Sequence, residues 1–179
     1  MEFSNRPQGR EEDIIALFTV TFTASEGTEE GALIGALARN LLIGTAEKDL
    51  FVFTAEEDGT MIGSIVFSRL TYEGDDRTVF VLGPVAVATD RQGKGIGQGL
   101  LSHGLASLRN AGVDIAVTYG DPNYYAKVGF MPISEAEAQA PFALKHPEGW
   151  LGQSLTDRAM TPLKGPSRCV EALNDPLFW

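Results

Sequence analysis

The chain holds one cysteine, Cys169, two histidines, His103 and His146, and only 14 basic side chains against 24 acidic ones. One thiol excludes an intramolecular disulfide. Two histidines this far apart supply none of the spacings that hold zinc or pair a cysteine nucleophile with a base, so no metal is expected. The formal net charge of −10 opposes a phosphate backbone, whose binding needs clustered Lys and Arg to release counterions, and nucleic acid is not an expected partner. No run nears the roughly 20 apolar residues that a bilayer span requires, and Met1 to Glu12 is polar. The expectation is a cytoplasmic protein with neither a membrane span nor a secretory signal. Internal repeats, low-complexity tracts and linkers are absent too. The 179 residues, 44% of them apolar, suffice for one complete core, so residues 1–179 are expected to form a single domain.

Ile14, Leu17, Phe18 and Phe22 recur at helical spacing, and after a break at Ser25 to Thr28 so do Leu33, Ile34, Leu37 and Leu41. Two amphipathic helices are predicted to open the fold. Leu50 to Ala55 and Met61 to Ser68 read as strands around Glu57-Asp58-Gly59-Thr60, whose Asp-Gly pair suits a tight hairpin, and Val79 to Val87 reads as a third strand of an antiparallel meander. A glycine-rich segment, Gln92 to Gly99, leads into Leu100, Leu101, Leu105 and Leu108 on one helical face, ended by Gly112. Val113 to Tyr119 then forms a strand parallel to Val79 to Val87 through a right-handed crossover. Asp121-Pro122 is an N-cap and N1 pair for a helix to about Val128. Five prolines between Met131 and Ser167 predict short strands and loops there, and Arg168 to Leu173 reads as a terminal strand. The apolar Leu177-Phe178-Trp179 either docks on its own domain or joins two copies in a homodimer. This order gives an α/β (α+β) class, a mixed sheet flanked by helices.

The most informative residues are Gln92-Gly93-Lys94-Gly95-Ile96-Gly97-Gln98-Gly99, set between a strand and a helix. Glycines let backbone N–H groups come close to an anion, and the first turn of the next helix adds unpaired donors and partial positive charge. Arg91 and Lys94 stand ready to add charge in an otherwise acidic chain. A dinucleotide fingerprint fails in every frame, since its last glycine falls on Gln98, Leu100 or Ser102. A nucleotide P-loop fails as well: Gly93-Lys94 is followed by Gly95 instead of Ser or Thr, and Ala88 stands where the upstream glycine belongs.

What remains resembles the signature of the GNAT superfamily of N-acetyltransferases, Gln or Arg-x-x-Gly-x-Gly or Ala, matched by Gln92, Gly95 and Gly97. The preceding Leu82-Gly83-Pro84-Val85-Ala86-Val87 strand and Tyr125-Ala126-Lys127-Val128-Gly129-Phe130, which is similar to the family's Tyr-x-Lys-x-Gly-Phe motif, follow in the family's order. The resemblance covers about residues 14–130 and is of the small bacterial type. It implies a mostly antiparallel sheet whose parallel strand pair is split around coenzyme A. Gly83-Pro84 offers a physical reason for the split, because proline donates no backbone hydrogen bond and glycine tolerates a bulge. By the same resemblance, acetyl-CoA is the co-substrate, Val85, Ala86 and Val87 bind its pantetheine arm, and Gln92, Gly93, Lys94, Gly95, Ile96, Gly97 and Gln98 cradle its pyrophosphate.

The implied reaction is attack of a primary amine, expected on a small molecule, on the thioester through a tetrahedral oxyanion, with a backbone N–H near Val85 as the donor. An alkyl amine of pKa about 10.4 is neutral in only about one molecule in a few thousand at pH 7, so a base or water chain must take its proton. Candidate carboxylates are Glu26, Glu29 and Glu30, between the helices, and Glu73, Asp75 and Asp76, in the loop after the second hairpin strand. The family assigns protonation of the leaving thiolate to the tyrosine that aligns with Tyr125, with Tyr124 its neighbour. A phenol near pKa 10 is a weaker acid than a thiol near 8.5, so transfer is uphill by roughly 2 kcal/mol and a hydrogen bond is expected in its place. Many relatives carry Asn seven residues before that tyrosine where this chain has Thr118, which leaves the Asp121 turn to substitute for the Asn contact to pantetheine. The competing readings are a non-catalytic acyl-CoA sensor and a transferase acting on proteins or using longer acyl chains.

Overall fold

The N-terminal segment, polar as it is, opens with a strand, β1 (Glu2–Asn5), that sequence patterning does not signal. A computed structural model of the chain describes residues 1–5 and 8–179. There follow α1 (Glu11–Glu26), α2 (Thr28–Gly44), β2 (Leu50–Glu57), β3 (Thr60–Tyr72), β4 (Val79–Val87), α3 (Ile96–Asn110), β5 (Ile115–Tyr119), α4 (Pro122–Tyr125), β6 (Met131–Pro132), β7 (Trp150–Ser154) and β8 (Ser167–Arg168). The sheet order is β1-β2-β3-β4-β5-β7-β6, with β8 on β3. β4 and β5 are parallel, while β1–β2, β5–β7, β6–β7 and β3–β8 are antiparallel. This is the mixed, mostly antiparallel sheet expected. Among the described residues no helix is long and apolar enough to cross a membrane.

The chain divides into two compact units. The first comprises Met1–Phe67 and Gly83–Gly104. Its helices α1 and α2 are separated by Gly27 alone, at φ 100°. They approach closely because α2 presents glycines to threonines of α1. A Cβ on Gly31 would lie 1.8 Å from Thr23 Oγ1 and 2.8 Å from the Thr19 carbonyl, and one on Gly35 would lie 2.1 Å from Thr19 Oγ1. Ile14, Phe18, Leu37 and Leu41 fill the core as their spacing predicts. Asp58 and Gly59, at φ 51° and 77°, make the tight turn of the β2–β3 hairpin. β1 pairs Phe3 with Ala55 and Asn5 with Phe53. It is held from above by α3, where His103 Nε2 lies 2.7 Å from Asn5 Oδ1 and Gly99 leaves room for the Phe3 ring.

The second unit comprises Ser68–Leu82 and Leu105–Trp179. β5 is central in it, paired with β4 on one side and over its full length with β7 on the other. The proline-rich stretch after α4 forms short strands and loops, as expected. It is tied down by buried side chains: Trp150 Nε1 donates to Ala138 O at 2.8 Å and Tyr72 Oη to Gln139 O at 2.8 Å. The terminal strand predicted over Arg168 to Leu173 is not formed. Only Ser167–Arg168 pairs, with Tyr72 and Thr71, and Glu171–Leu173 is a 3-10 turn closed by Leu173 N–H on the Val170 carbonyl. The Leu173 carbonyl accepts from Asp175 N–H at 2.8 Å and from Trp179 Nε1 at 3.0 Å, and Trp179, 3% exposed, packs edge-on against Trp150. The apolar C-terminus therefore docks on its own unit through Trp179.

Candidate active site

Val85, Ala86, Val87 and Gln92 to Gln98 all lie in the first unit, and Tyr125 lies in the second. In the first unit, the Ala88 N–H donates to the Ile62 carbonyl of β3 at 2.8 Å. The Val87 carbonyl shares that planar peptide group and so points the opposite way, and strand alternation aims the backbone groups of Val85 away from β3 with it. Ala86 is buried, while Val85 and Val87 are half-buried. The Val87 carbonyl is taken by Gln92, whose Nε2 donates to it at 3.0 Å. The first motif residue thus acts as a clip that folds the loop back on the strand end.

Beyond that clip Gly93 and Gly95 adopt φ 74° and 78°, a left-handed conformation that side-chain-bearing residues pay to enter. A Cβ on either would meet nothing within 4 Å, so the loop's outer face is open. The first helical bond of α3 runs from Gly99 N–H to Gly95 O at 3.0 Å, which leaves the amides of Ile96, Gly97 and Gln98 ahead of it, at the positive end of the helix. Ile96, 6% exposed, anchors this turn in the core. The two flanking cations differ from expectation. Arg91 is committed to Glu57 at 2.9 Å and Asp90 at 2.7 Å, and its charge is compensated within the protein. Lys94 is exposed, with Nζ 3.3 Å from the Asp90 carbonyl.

In the second unit the parallel register runs from Val79 opposite Ile115 to Leu82 opposite Thr118, directly ahead of Gly83-Pro84. After β5, Asp121 caps α4 as its sequence predicts, Oδ1 accepting from Asn123 N–H at 2.9 Å, with Pro122 in the first turn. Gly129, at φ 97°, closes the following turn. Together these set Tyr125 over Gly120, where a Cβ would come within 2.7 Å of the Tyr125 ring. Tyr124 and Phe130 contact that ring edge-on at 5.1 and 5.9 Å. Burial pushes the Tyr125 phenol up to about 12, Tyr124 and Asp121 adding to the rise and a hydrogen bond with Thr118 opposing it. Thr118 itself is 1% exposed and donates to the Leu82 carbonyl at 3.1 Å. It is an internal group, whereas Asp121 is exposed and gives one carboxylate oxygen, Oδ1, to its cap. Gly120 was not singled out by sequence, although a glycine between a strand and an Asp-Pro cap is its signal.

The candidate carboxylates separate in the same way. Glu26, Glu29, Glu73 and Asp76 are exposed and Glu30 is half-buried. Asp75 accepts from Arg77 N, Nε and Nη2 at 3.1, 3.0 and 2.8 Å and from Lys164 N at 3.1 Å. Arg77 in turn holds the Thr161 and Pro162 carbonyls. The Arg77 guanidinium keeps the Asp75 carboxyl well below the usual carboxylate range, so Asp75 is a loop anchor and not a base. Its folded pKa is depressed, so its stabilisation is full above the ordinary value near 4 and is lost as pH falls below it. Asp75→Asn should lower the melting temperature at pH 7 by about 4–8 °C, taking about 2 kcal/mol for charge-assisted bonds in a chain of this size. Thermal scans should show that deficit shrinking below pH 4; an equal deficit at both pH values would remove the ion pair as its cause.

Among the described residues no three His, Cys, Asp or Glu side chains gather where a metal ion could be held. The family model for the acetyltransferase (GNAT) family matches residues 12–130. Of curated proteins, the uncharacterized N-acetyltransferase YjhQ of Escherichia coli is 34% identical over 119 residues, which are 64% of this chain and 65% of YjhQ. The uncharacterized N-acetyltransferase YhbS of the same species is 35% identical over 74 residues, 41% of this chain and 44% of YhbS. The matches thus span less than two thirds of either relative. Of solved structures, Escherichia coli YhbS in complex with CoA is similar with a TM-score of 0.83 at 24% identity, over 97% of this chain and 92% of that one, a likeness of fold. A GNAT family acetyltransferase from Brucella melitensis in complex with acetyl-CoA is similar with a TM-score of 0.67 at 27% identity, over 96% and 97%. With its strand, glycine loop and tyrosine turn all inside the matched residues, the chain belongs to the acetyltransferase (GNAT) family.

Proposed function

We propose that the protein transfers the acetyl group of acetyl-CoA to the primary amine of a small molecule by direct attack. The observation that carries this reading is the backbone of the first unit: two left-handed glycines with open space above them, followed by three helix amides ahead of the first helical bond. Such a loop suits a pyrophosphate, because N–H groups meet the charge with no side chain in between. The Val85 carbonyl and the Val87 N–H, both turned away from β3, extend it as a pairing edge for the two amides of pantetheine. Val85 is the first residue after Gly83-Pro84 with an N–H to give, and that N–H is the donor for the thioester oxyanion. Tyr125 serves the other end of the reaction, donating a hydrogen bond to the sulfur as the thiolate departs.

Calorimetric titration with acetyl-CoA, run beside a thermal scan, tests this reading. A ligand at 100 times its dissociation constant stabilises the fold by about 2.7 kcal/mol, or roughly 5–10 °C for a chain of this size. Saturable binding is expected, followed by thiol release in a screen of small amines. A folded sample that binds no acetyl-CoA at millimolar concentration would return the glycine loop to a packing role. Binding without thiol release from any amine would favour a sensor.

A further inference from the structure

After β7 the chain forms an arch pinned at both feet, all of it within the second unit. At one foot Leu155 N–H donates to the Asp114 carbonyl at 2.8 Å, just beyond the last β5–β7 pair, Ile115 with Ser154. Ser154 Oγ accepts from Thr156 N–H at 3.2 Å and Thr156 Oγ1 from Arg158 N–H at 3.2 Å, two side-chain turns that end the strand. At the other foot Arg77 Nη1 donates to the Thr161 carbonyl and Oγ1 at 3.0 and 2.9 Å, and Nη2 to the Pro162 carbonyl at 2.9 Å. Met160 packs over β7, its Sδ 3.4 Å from where a Cβ on Gly152 would stand. The arch and the sheet end enclose a cavity of about 440 Å³. Small-molecule sites occupy roughly 300–1,000 Å³.

Two arginines and one carboxylate line this cavity. Arg77 stands near the Asp114 charge but has no donor left, since Asp75, Thr161 and Pro162 take all five of its N–H groups. Arg158 is exposed, and its guanidinium has neither a hydrogen bond nor an ion pair among the described residues. Asp114 Oδ2 accepts Thr78 N–H at 2.8 Å, and Oδ1 keeps its lone pairs for another donor. Asp114 and Arg158 thus face one cavity without pairing with each other. The rest of the lining includes apolar Ile115, Ala159 and Met160. Opposite charges that do not meet, beside an apolar wall, suit a small ligand that carries both charges and an apolar group.

We propose that this cavity binds a free α-amino acid with an apolar side chain, its carboxylate on the Arg158 guanidinium, its ammonium on Asp114 Oδ1 and its side chain against Ile115 and Met160. The guanidinium fork matches a carboxylate with two parallel N–H bonds, and an ammonium takes a charged acceptor. Asp114 precedes β5, whereas Tyr125 follows the other end of that strand, four steps of about 3.3 Å away. The bound amino acid is therefore distinct from the acceptor that meets Tyr125, and the site does not depend on the acetyl-transfer reading.

Calorimetric titration of the full chain with L-leucine tests it, beside isoamylamine, which lacks the carboxylate of leucine, and 4-methylpentanoate, which lacks its ammonium. L-Leucine should bind saturably, and each of the two halves at least about tenfold more weakly, the loss expected of one charge-assisted contact. Arg158→Ala and Asp114→Asn should each weaken L-leucine by a similar factor and leave the dissociation constant for acetyl-CoA within about twofold. Asn still offers an oxygen to the Thr78 N–H, and Arg158 is exposed, so both chains should fold, as judged by circular dichroism. If Asp114→Asn does not fold, Arg158→Ala and the two halves decide the matter. A wild-type protein that binds acetyl-CoA but no L-leucine at millimolar concentration would overturn the site and leave the acetyl-transfer reading intact. L-Leucine binding that survives Arg158→Ala would put the amino acid elsewhere, the acceptor site included, and would also overturn it. So would a half that binds as tightly as L-leucine, since one of the two charges would then go unread.

Discussion

Tyr125→Phe should lower kcat about 100-fold and leave the dissociation constant of acetyl-CoA within about threefold, as befits a group whose contact strengthens only as the thiolate forms. The phenol is pushed up to about 12 by burial, against about 8.5 for a thiol, so complete proton transfer would be uphill by roughly 5 kcal/mol. On the proposed reading Tyr125 keeps its proton and lends it as a hydrogen bond, and the sulfur takes its proton from solvent after leaving. The sign of the pH dependence follows. Tyr125 is neutral throughout pH 6 to 10, so it contributes no alkaline fall in rate there, and the rate should rise with pH as the acceptor amine loses its proton. Wild-type and Tyr125→Phe profiles should run parallel over that range, offset by the constant factor. A convergence of the two profiles toward pH 10 would mean that the phenol ionises during the reaction. Tyr124, half-buried and turned nearly perpendicular to its neighbour, supplies the control: Tyr124→Phe keeps the ring contact that supports Tyr125 and should retain turnover within about threefold.

How much of this was legible depended on how local the determinants are. Gln92 to Gly99, Asp121-Pro122 and Asp58-Gly59 carry their conformations in a few adjacent residues, through missing Cβ atoms, a fixed proline φ or a side-chain cap, and the structure forms all three where expected. β1 escaped notice because a single apolar residue, Phe3, among polar ones makes no pattern; the strand exists through β2 and through His103, 98 positions from Asn5. Arg168 to Leu173 looked like a strand because Cys169, Val170, Ala172 and Leu173 are apolar, yet Leu173 is needed by Trp179 and the backbone turns to present its carbonyl. The charges misled in the same way. Arg91 reads as a free cation beside the glycine loop until Glu57, 34 positions away, is found against it, and Asp75 reads as a candidate base until Arg77 and the Lys164 amide enclose it. Thr118 looked like a missing asparagine, and its bond to Leu82 exists only in the paired sheet.

The largest effect on cofactor affinity should come from Gly95→Val, with the dissociation constant for acetyl-CoA raised at least about 100-fold by loss of the close N–H contacts to pyrophosphate, each worth about 1.5–3 kcal/mol when charged. Two effects are combined in that substitution. At φ 78° a side chain costs about 1–2 kcal/mol of backbone strain, which should lower the melting temperature by about 2–8 °C. Within the protein the new Cβ would strike nothing, since no atom lies within 4 Å, so the fold should survive. On the proposed reading the valine takes up open space that the pyrophosphate needs beside the loop. Gly59→Val separates the two effects, because Gly59 has φ 77° and the same empty surroundings but sits in the β2–β3 turn. Both variants should melt early by similar amounts, and only Gly95→Val should fail to bind acetyl-CoA in a calorimetric titration. Equal affinity losses would show that binding responds to general destabilisation. Wild-type affinity in Gly95→Val would show that the pyrophosphate is held elsewhere, and the assignment of Gly93 to Gln98 would fall with it.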